Sequence, residues 1–486
     1  MNTEYNKESG LPVTIKTFEF NELMLDSVIR ELSNVMGISA LHEFIGALSC
    51  CVQDLVDNAE RANSQRIYFI DNSLDVNDPK QYEIGIKKFE EEYLLYKDYF
   101  VEKRKKLGLY VTVSFKNTGD SLIVKVNNSV LATRQEHLQF YDRIIRSRLY
   151  RNFDEAIIDL FKPEKLGLGI VFVVFLLKQI GLDEDSLTLE SVGKETFSQI
   201  KISFAKLNLK RINKLRNIIH SDIKALSNFP ESIICLQDII DKSDTKLADV
   251  SDWINQDPSL TEGFLDLINS VRFMVPHVAN NVSDAVKMIG LRKLRNLLFS
   301  FAVQKTLNER YGTDQVFWEH AIKVAFWGYK IIENKNEKRL WFDTIYLGCI
   351  LHDIGKILVN SRHPKLLVSL RCFASRKRLP FLLLETLFIG FDHAKIGGFI
   401  AEKWDFSETI VSLIKHHHKP LKTTESSEIQ LAIYLANAMC GVEKNLITFE
   451  DIDQQALKTF SILSEKKFEC LQKEFQTIYN KQKRKS

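Results

Sequence analysis

The alternation of apolar and polar positions divides the chain into two textures. In the first 208 residues, strand-like and helix-like patterns are mixed. β-branched content predicts a strand over Thr14–Phe20, and helical spacing of apolar residues predicts a long helix from about Ala40 to Asn63. Arg66–Ile70 reads as a strand from its β-branched and aromatic content. The charged periodic stretch 80–106 reads as a solvent-exposed helix. Leu109–Phe115 and Ser121–Val126 read as a hairpin around the turn residues Asn117 to Asp120. A polar helical stretch, 132–161, leads to Gly167-Leu168-Gly169 and an apolar helix reaching about Ile180. A last hairpin, about Ser186–Val192 with Phe197–Phe204, completes an α/β layer structure. Its sheet is expected to be mixed or antiparallel, with helices on one face.

From about residue 209 to 425 the pattern is helix after helix, interrupted at Pro230. Residues 426–486 read as a helical, charged extension with a basic tail, Lys481–Ser486, that carries four cations in six residues. The longest apolar runs, such as Ile170–Leu177, fall short of the roughly 20 residues that span a bilayer.

Composition narrows the function classes. The chain has 486 residues, enough for about three domain-sized units. With 66 Lys+Arg against 63 Asp+Glu the net charge is only +3, so nucleic-acid binding through phosphate contacts is not expected. The 7 cysteines are scattered without a CxxC pair, which points to reduced thiols rather than a thiolate zinc site. The polar start of the sequence lacks a signal-peptide pattern, so a cytoplasmic location is expected.

Three short segments in the first half carry candidate chemistry. Asp54 and Asn58 are four residues apart, hence on one helix face, where an amide oxygen can enter a magnesium shell and a carboxylate can position water. Gly167 and Gly169 open an apolar helix, where backbone N–H groups can approach a phosphate. Thr196 follows in Gly193-Lys194-Glu195-Thr196, within the late hairpin. Taken in order, these segments resemble the GHKL, or histidine-kinase-like ATPase, domain over about residues 15–206. The resemblance implies an α/β sandwich with a mixed sheet. It also implies an ATP–magnesium site in which Asp54 stands for the positioning carboxylate, Asn58 for the magnesium-binding asparagine, Gly167 and Gly169 for the second glycine box, and Thr196 for the threonine beside adenine. The chain departs from the family at Asn127, which replaces the adenine-binding aspartate, and at Ser129 and Leu131, which replace glycines. Side chains there obstruct close backbone approach. The domain is therefore expected to be degenerate, serving in dimerisation, partner recognition or sensing.

The second half holds eight of the 11 histidines, between His277 and His418. His320, His352-Asp353, His393 and His417-His418 stand on predicted helices or helix ends. Imidazoles and carboxylates suit iron, manganese or zinc. Adjacent His352 and Asp353 diverge by about 100° on a helix, so both reach one site only at a groove between helices. His416–His418 could be a solvated cluster. A His-Asp pair inside the apolar stretch Leu351–Lys356, however, needs polar partners once buried. Residues 222–425 resemble an HDOD domain, a divergent, all-helical relative of the HD phosphohydrolases. The resemblance is carried by Phe229-Pro230-Glu231-Ser232, Ile254–Leu260, Leu267–Ser270, Ser283–Gly290, Phe317–His320, Leu351–Lys356, Asp392-His393-Ala394, Ala401–Trp404 and His417–Pro420. It implies His320, His352, Asp353, His393, His417 and His418 as metal ligands and Asp353 and Lys356 as catalytic residues. Asn437 stands where active relatives have a ligand aspartate, and Lys419-Pro420-Leu421 replaces the Gly-Tyr-Pro signature of cyclic-di-GMP phosphodiesterases.

These readings converge on a cytoplasmic bacterial signalling protein in three parts: residues 1–208 a degenerate ATPase-like domain, 209–425 an HDOD bundle, and 426–486 the extension. It would act through protein partners, with homodimerisation as one mode. The rival expectation is a metal-dependent phosphohydrolase acting on a nucleotide or cyclic dinucleotide. A third is an ATP-gated switch.

Overall fold

The computed structural model describes residues 3–4, 13–36, 42–150, 169–229, 231–240, 242, 244–270, 278–312, 314–333, 341–364, 366–377, 379–419 and 427–483. Its contacts separate two units. Unit 1 comprises Met1–Asn217 and Val368–Gly390, and unit 2 comprises Ile218–Leu367 and Phe391–Ser486.

Unit 1 contains β1 (Thr3–Glu4), β2 (Val13–Thr17), α1 (Glu22–Met36), α2 (His42–Asp71), α3 (Pro79–Leu95), α4 (Lys97–Leu107), β3 (Val111–Asn117), β4 (Ser121–Asn128), α5 (Arg134–Arg146), α6 (Gly169–Gln179), β5 (Leu187–Val192) and β6 (Glu195–Ser203). The strands form one sheet in the order β1-β2-β3-β4-β6-β5. Every described pairing is antiparallel, so the sheet is not the mixed one that the ATPase resemblance implied. Alternating burial on β3 and β4 turns Val111, Val113, Phe115, Leu122, Val124 and Val126 toward the helices. Both hairpins form where the turn residues placed them.

The expected strand at Arg66–Ile70 is instead the end of α2, which runs for 30 residues. Ile67, Tyr68 and Phe69 enter an aromatic cluster with Tyr82, Phe89 and Phe100. Tertiary packing thus overrides the local β preference. The charged stretch after it is two helices rather than one exposed helix, because its apolar positions complete this cluster. The first begins at Pro79, and the Asp78 side chain caps it by accepting from Lys80 N and Gln81 N. Of the polar stretch 132–161, α5 is described, opened by a Thr133–Glu136 capping box, and residues 151–168 lie outside the described residues.

Val368–Gly390 completes the core of unit 1. Phe172 of α6 packs 4.4 Å from Phe373 and 6.4 Å from Phe388, between ring centres. Gly46 leaves room for Leu383, whose Cδ1 lies 2.6 Å from where a Cβ would stand.

Among the described residues, unit 2 is all helical. After α7 (Lys210–Lys224), whose first residues belong to unit 1, come α8 (Glu231–Ile240), α9 (Leu247–Ile254), α10 (Pro258–Ser270), α11 (Val282–Ile289), α12 (Leu291–Tyr311), α13 (Gln315–Glu333), α14 (Trp341–Leu351) and α15 (Gly355–Arg362). The chain continues through α16 (Leu366–Lys377) and α17 (Phe381–Ile389), which lie in the unit 1 segment apart from Leu366 and Leu367. It returns to unit 2 with α18 (His393–Lys403), α19 (Glu408–Lys415), α20 (Ser427–Glu443), α21 (Gln454–Thr459) and α22 (Glu465–Lys483). α13, α14 and α20 pack together around Trp327, Tyr346 and Ile433, all fully buried. No helix among the described residues is long and apolar enough to cross a membrane.

Candidate metal centre

Two helix ends build the centre of the site. His352 and Asp353 occupy the turn that breaks α14 from α15, and His417 and His418 occupy the turn after α19. The last carbonyls of a helix lack an intrahelical partner. Here the histidines use them: His352 Nδ1 lies 2.7 Å from Cys349 O, and His417 Nδ1 lies 2.7 Å from Ile414 O. A carbonyl only accepts, so each Nδ1 carries the proton and each Nε2 presents a lone pair. Sequence reasoning missed these two carbonyls. The signal that could have found them is the shared spacing, a histidine three residues after an apolar residue in the last turn of a helix.

All of these lone pairs face Asp353, which is 1% exposed. Its Oδ2 lies 3.2 Å from His352 Nε2 and 3.5 Å from His320 Nε2, and its Oδ1 lies 3.2 Å from His393 Nε2 and 3.4 Å from His417 Nε2. Lys356, in the first turn of α15 and three residues after Asp353, places Nζ 2.5 Å from Oδ2. His393 Nε2 and His418 Nε2 stand 2.8 Å apart. Asp392 caps α18 by accepting from Lys395 N at 2.8 Å, and this fixes the start of the helix that carries His393. Gly355 makes the crossing of α15 with α18 close enough: a Cβ there would lie 2.1 Å from His393 O.

Six residues from four places in the sequence therefore form two ligand groups. One is Asp353, His393, His417 and His418, the other is His320, His352 and Asp353, and within each group the ligand atoms lie within 4.8 Å of one another. His352, His393 and His417 are fully buried, while His320 and Lys356 reach the surface at 16% side-chain exposure.

Burial pushes the His320 and His417 rings down to about 4, so both are neutral at neutral pH. Burial and the neighbouring His417 and His393 hold His418 well below its ordinary value. Burial alone would raise Asp353, but the Lys356 ammonium and the histidines packed against the carboxyl, His352 and His320, outweigh it and hold it well below the usual range. The result is a carboxylate anion beside the neutral rings of His320 and His417.

Buried polar atoms are ordinarily hydrogen-bonded. Here His352 Nε2, His417 Nε2 and Asp353 Oδ1 are buried without a hydrogen-bond partner. A divalent cation satisfies lone pairs of this kind, and the imidazole–carboxylate donor set fits zinc, iron or manganese.

The residues expected to hold ATP and magnesium in unit 1 are arranged differently. Asn58 Nδ2 donates to Asp54 Oδ2 at 3.2 Å. The Asp54 carboxylate lies over the first residue of α6, with Oδ2 2.1 Å from where a Gly169 Cβ would stand. Thr196 Oγ1 accepts from Ala132 N at 2.7 Å and lies 2.9 Å from Ser191 Oγ. Asn127 Nδ2 donates to Glu195 Oε2 at 2.6 Å, and its Oδ1 is buried without a hydrogen bond. Gly167 lies outside the described residues. Asp54, Asn58 and Gly169 come together, whereas Asn127 and Thr196 are engaged elsewhere on β4 and β6. This set does not fit magnesium–ATP as it stands, because Asn58 spends its amide on Asp54, the Asp54 carboxylate lies against Gly169, and Asn127 and Thr196 bond elsewhere.

Comparison with known proteins bears on the helical half. Residues 226–420 match the family profile of the HDOD domain. An uncharacterized protein of Treponema pallidum is 27% identical over 477 residues, covering 97% of this chain and 92% of that protein. A solved HDOD domain protein of unknown function from Geobacter sulfurreducens is 22% identical, covers 51% of this chain and 82% of its own, and superposes with a TM-score of 0.41. The MmoQ response regulator of Methylococcus capsulatus is 15% identical over 51% of this chain and 97% of its own, with a TM-score of 0.25. The chain thus carries an HDOD domain at residues 226–420.

Proposed function

We propose that this protein is a signal-transduction protein whose HDOD module holds a divalent metal and acts through protein partners. The observation that carries the metal reading is the pair of buried, unbonded Nε2 atoms of His352 and His417 beside Asp353. His320, His352, Asp353, His393, His417 and His418 would hold the ion or ions, with the two oxygens of Asp353 serving the two ligand groups. Zinc, iron or manganese fits these donors. In this reading residues 1–208 form a degenerate histidine-kinase-like domain for sensing or dimerisation, 209–425 the HDOD bundle and 426–486 its extension. Elemental analysis of protein purified without added metal tests the metal part. One to two ions per chain, absent from a His352→Ala/Asp353→Ala double variant, is the expected result. No metal in either protein overturns it.

A second reading is favoured by the open edge of the centre. Lys356 Nζ and His320 reach solvent beside the buried carboxylate. A bound metal supplies Lewis-acid activation of water against a phosphoester. Lys356 would hold the phosphate by its charge, Asp353 would orient the imidazoles, and burial would keep the His320 and His417 rings neutral. Hydrolysis of a nucleotide or cyclic dinucleotide phosphodiester, lost in Lys356→Ala while metal is retained, is the expected result for that reading.

A further inference from the structure

The chain passes between the two units three times: inside α7 at Asn217–Ile218, inside α16 at Leu367–Val368, and between Gly390 and Phe391. The segment between the last two crossings is built into the core of unit 1. Phe373 and Phe388 pack on Phe172, Leu383 fills the space beside Gly46, and α17 lies against α2 and α6.

The end of this segment is held tightly. Gly390 has φ +100°, a conformation that side-chain-bearing residues rarely adopt. A Cβ there would lie 2.8 Å from Arg216 N and 3.1 Å from the carbonyl carbon of Leu215. Arg216 Nε donates to Gly390 O at 3.1 Å. Leu215 and Arg216 immediately precede the first crossing, so two of the three crossings are pinned side by side within unit 1. Just past the boundary, within unit 2, the same two segments meet again: the Phe391 ring centre lies 5.2 Å from that of His220 and 5.0 Å from that of Phe399.

His393 follows Phe391 by two residues, with the capping Asp392 between them. At most about 11 Å of fully extended chain separates Gly390 from His393. Metal–ligand bonds tolerate about 0.2 Å. A shift at Gly390 larger than that is passed to His393 unless the two intervening residues absorb it.

We propose that Val368–Gly390 is a positioning arm: its packing in unit 1 sets where His393 is held, and so tunes the metal centre of unit 2. The inference rests on the metal reading above and names the regulation of that site. An event that repacks the core of unit 1 around Phe172, Phe373 and Phe388 would change metal affinity without touching a ligand.

The test uses the full chain in three variants. Gly390→Ala and Phe388→Ala disturb the arm, and Phe89→Ala disturbs the aromatic cluster of the same unit away from it. Zinc affinity is read by competition with a chromophoric chelator, and amide hydrogen exchange is read over α18. The two arm variants are expected to weaken zinc binding about tenfold and to speed exchange in α18, while Phe89→Ala leaves both unchanged. Arm variants that match the native protein in both readouts overturn the proposal, as does an equal effect from Phe89→Ala. If the native protein takes up no zinc, the metal reading fails, and exchange over α18 decides the arm by itself.

Discussion

Two sets of polar residues, one in each unit, look alike as sequence motifs and differ in what the fold does with them. In unit 1 the side chains of Asp54, Asn58 and Thr196 find hydrogen-bond partners within the protein, and Asp54 fills the place beside Gly169 that a ligand would need. In unit 2 His352 Nε2, His417 Nε2 and Asp353 Oδ1 are buried and left unbonded at one point. A buried polar atom without a partner costs about 1–3 kcal/mol, so a fold that gathers several at one place is held in readiness for a ligand. Convergent burial of several unbonded atoms, rather than the presence of a motif, marks the better candidate site. Asn127 Oδ1 is the one unbonded atom of this kind in the unit 1 set, and it stands alone.

The sharpest way to break this contrast is Asp353→Ala. Metal content is expected to fall from one or two ions per chain to background by elemental analysis, because both ligand groups share that carboxylate. Retention of metal would mean that the histidines suffice and that the orphaned oxygen is incidental.

A pair of glycine substitutions comes next. At Gly355 the added Cβ meets a backbone oxygen, His393 O, which cannot swing aside, whereas at Gly169 it meets the tip of the Asp54 side chain, which can. Gly355→Ala is expected to weaken metal binding about 10- to 100-fold by displacing His393. Gly169→Ala is expected to lower the melting temperature by a few degrees and leave metal affinity unchanged. Equal effects on metal binding would remove the distinction between the two units.

Proton titration separates the sets in another way. His320 and His417 have folded-state values near 4, below the ordinary 6.5. The unfolded chain therefore binds more protons at acid pH, and the stability these groups contribute, present above about 6.5, is lost as pH falls toward 4. The metal-free protein is expected to melt progressively lower across that window, and His417→Gln should flatten the profile. An unchanged profile would argue against a neutral buried ring.

Asp54→Ala probes unit 1 directly. Removing a buried carboxylate from the start of α6 is expected to cost about 1–2 kcal/mol, read by denaturant unfolding, with metal content unaffected. Magnesium–ATP is expected to give no thermal shift in the native protein. A clear shift would mean that Asp54 moves aside for nucleotide.

The smallest effect is expected at Asn437, half-buried on α20, the helix that packs against α13 and α14. Asn437→Asp should tighten metal binding a few-fold if that position still faces the centre, and should do nothing otherwise.

The sequence alone carried much of the fold. Period-2 and period-3.6 patterns located both hairpins and the helical half, because those signals arise from burial of one face of each element. Arg66–Ile70 misled because β-branched and aromatic residues serve a helix equally well when a neighbouring cluster receives them. The two hairpins were legible as antiparallel pairs, but the choice between a mixed and a wholly antiparallel sheet was not, because the β2–β3 and β4–β6 partners lie far apart in the chain. The order His320, His352-Asp353, His393, His417-His418 was legible as a candidate ligand set, since these residue types are scarce and have few other uses inside an apolar bundle.

By itself, then, the sequence determined which residues could act: the scarce histidines, the acidic residue beside one of them, and glycines at helix starts. These are properties of residue type and spacing, and they survive without coordinates. Only the tertiary structure decided which of them are free to act. Hydrogen-bond satisfaction is settled atom by atom between segments distant in the chain. Carbonyls at the ends of two helices hold the protons of His352 and His417 away from the centre, while Asn58 turns its amide to Asp54 over Gly169.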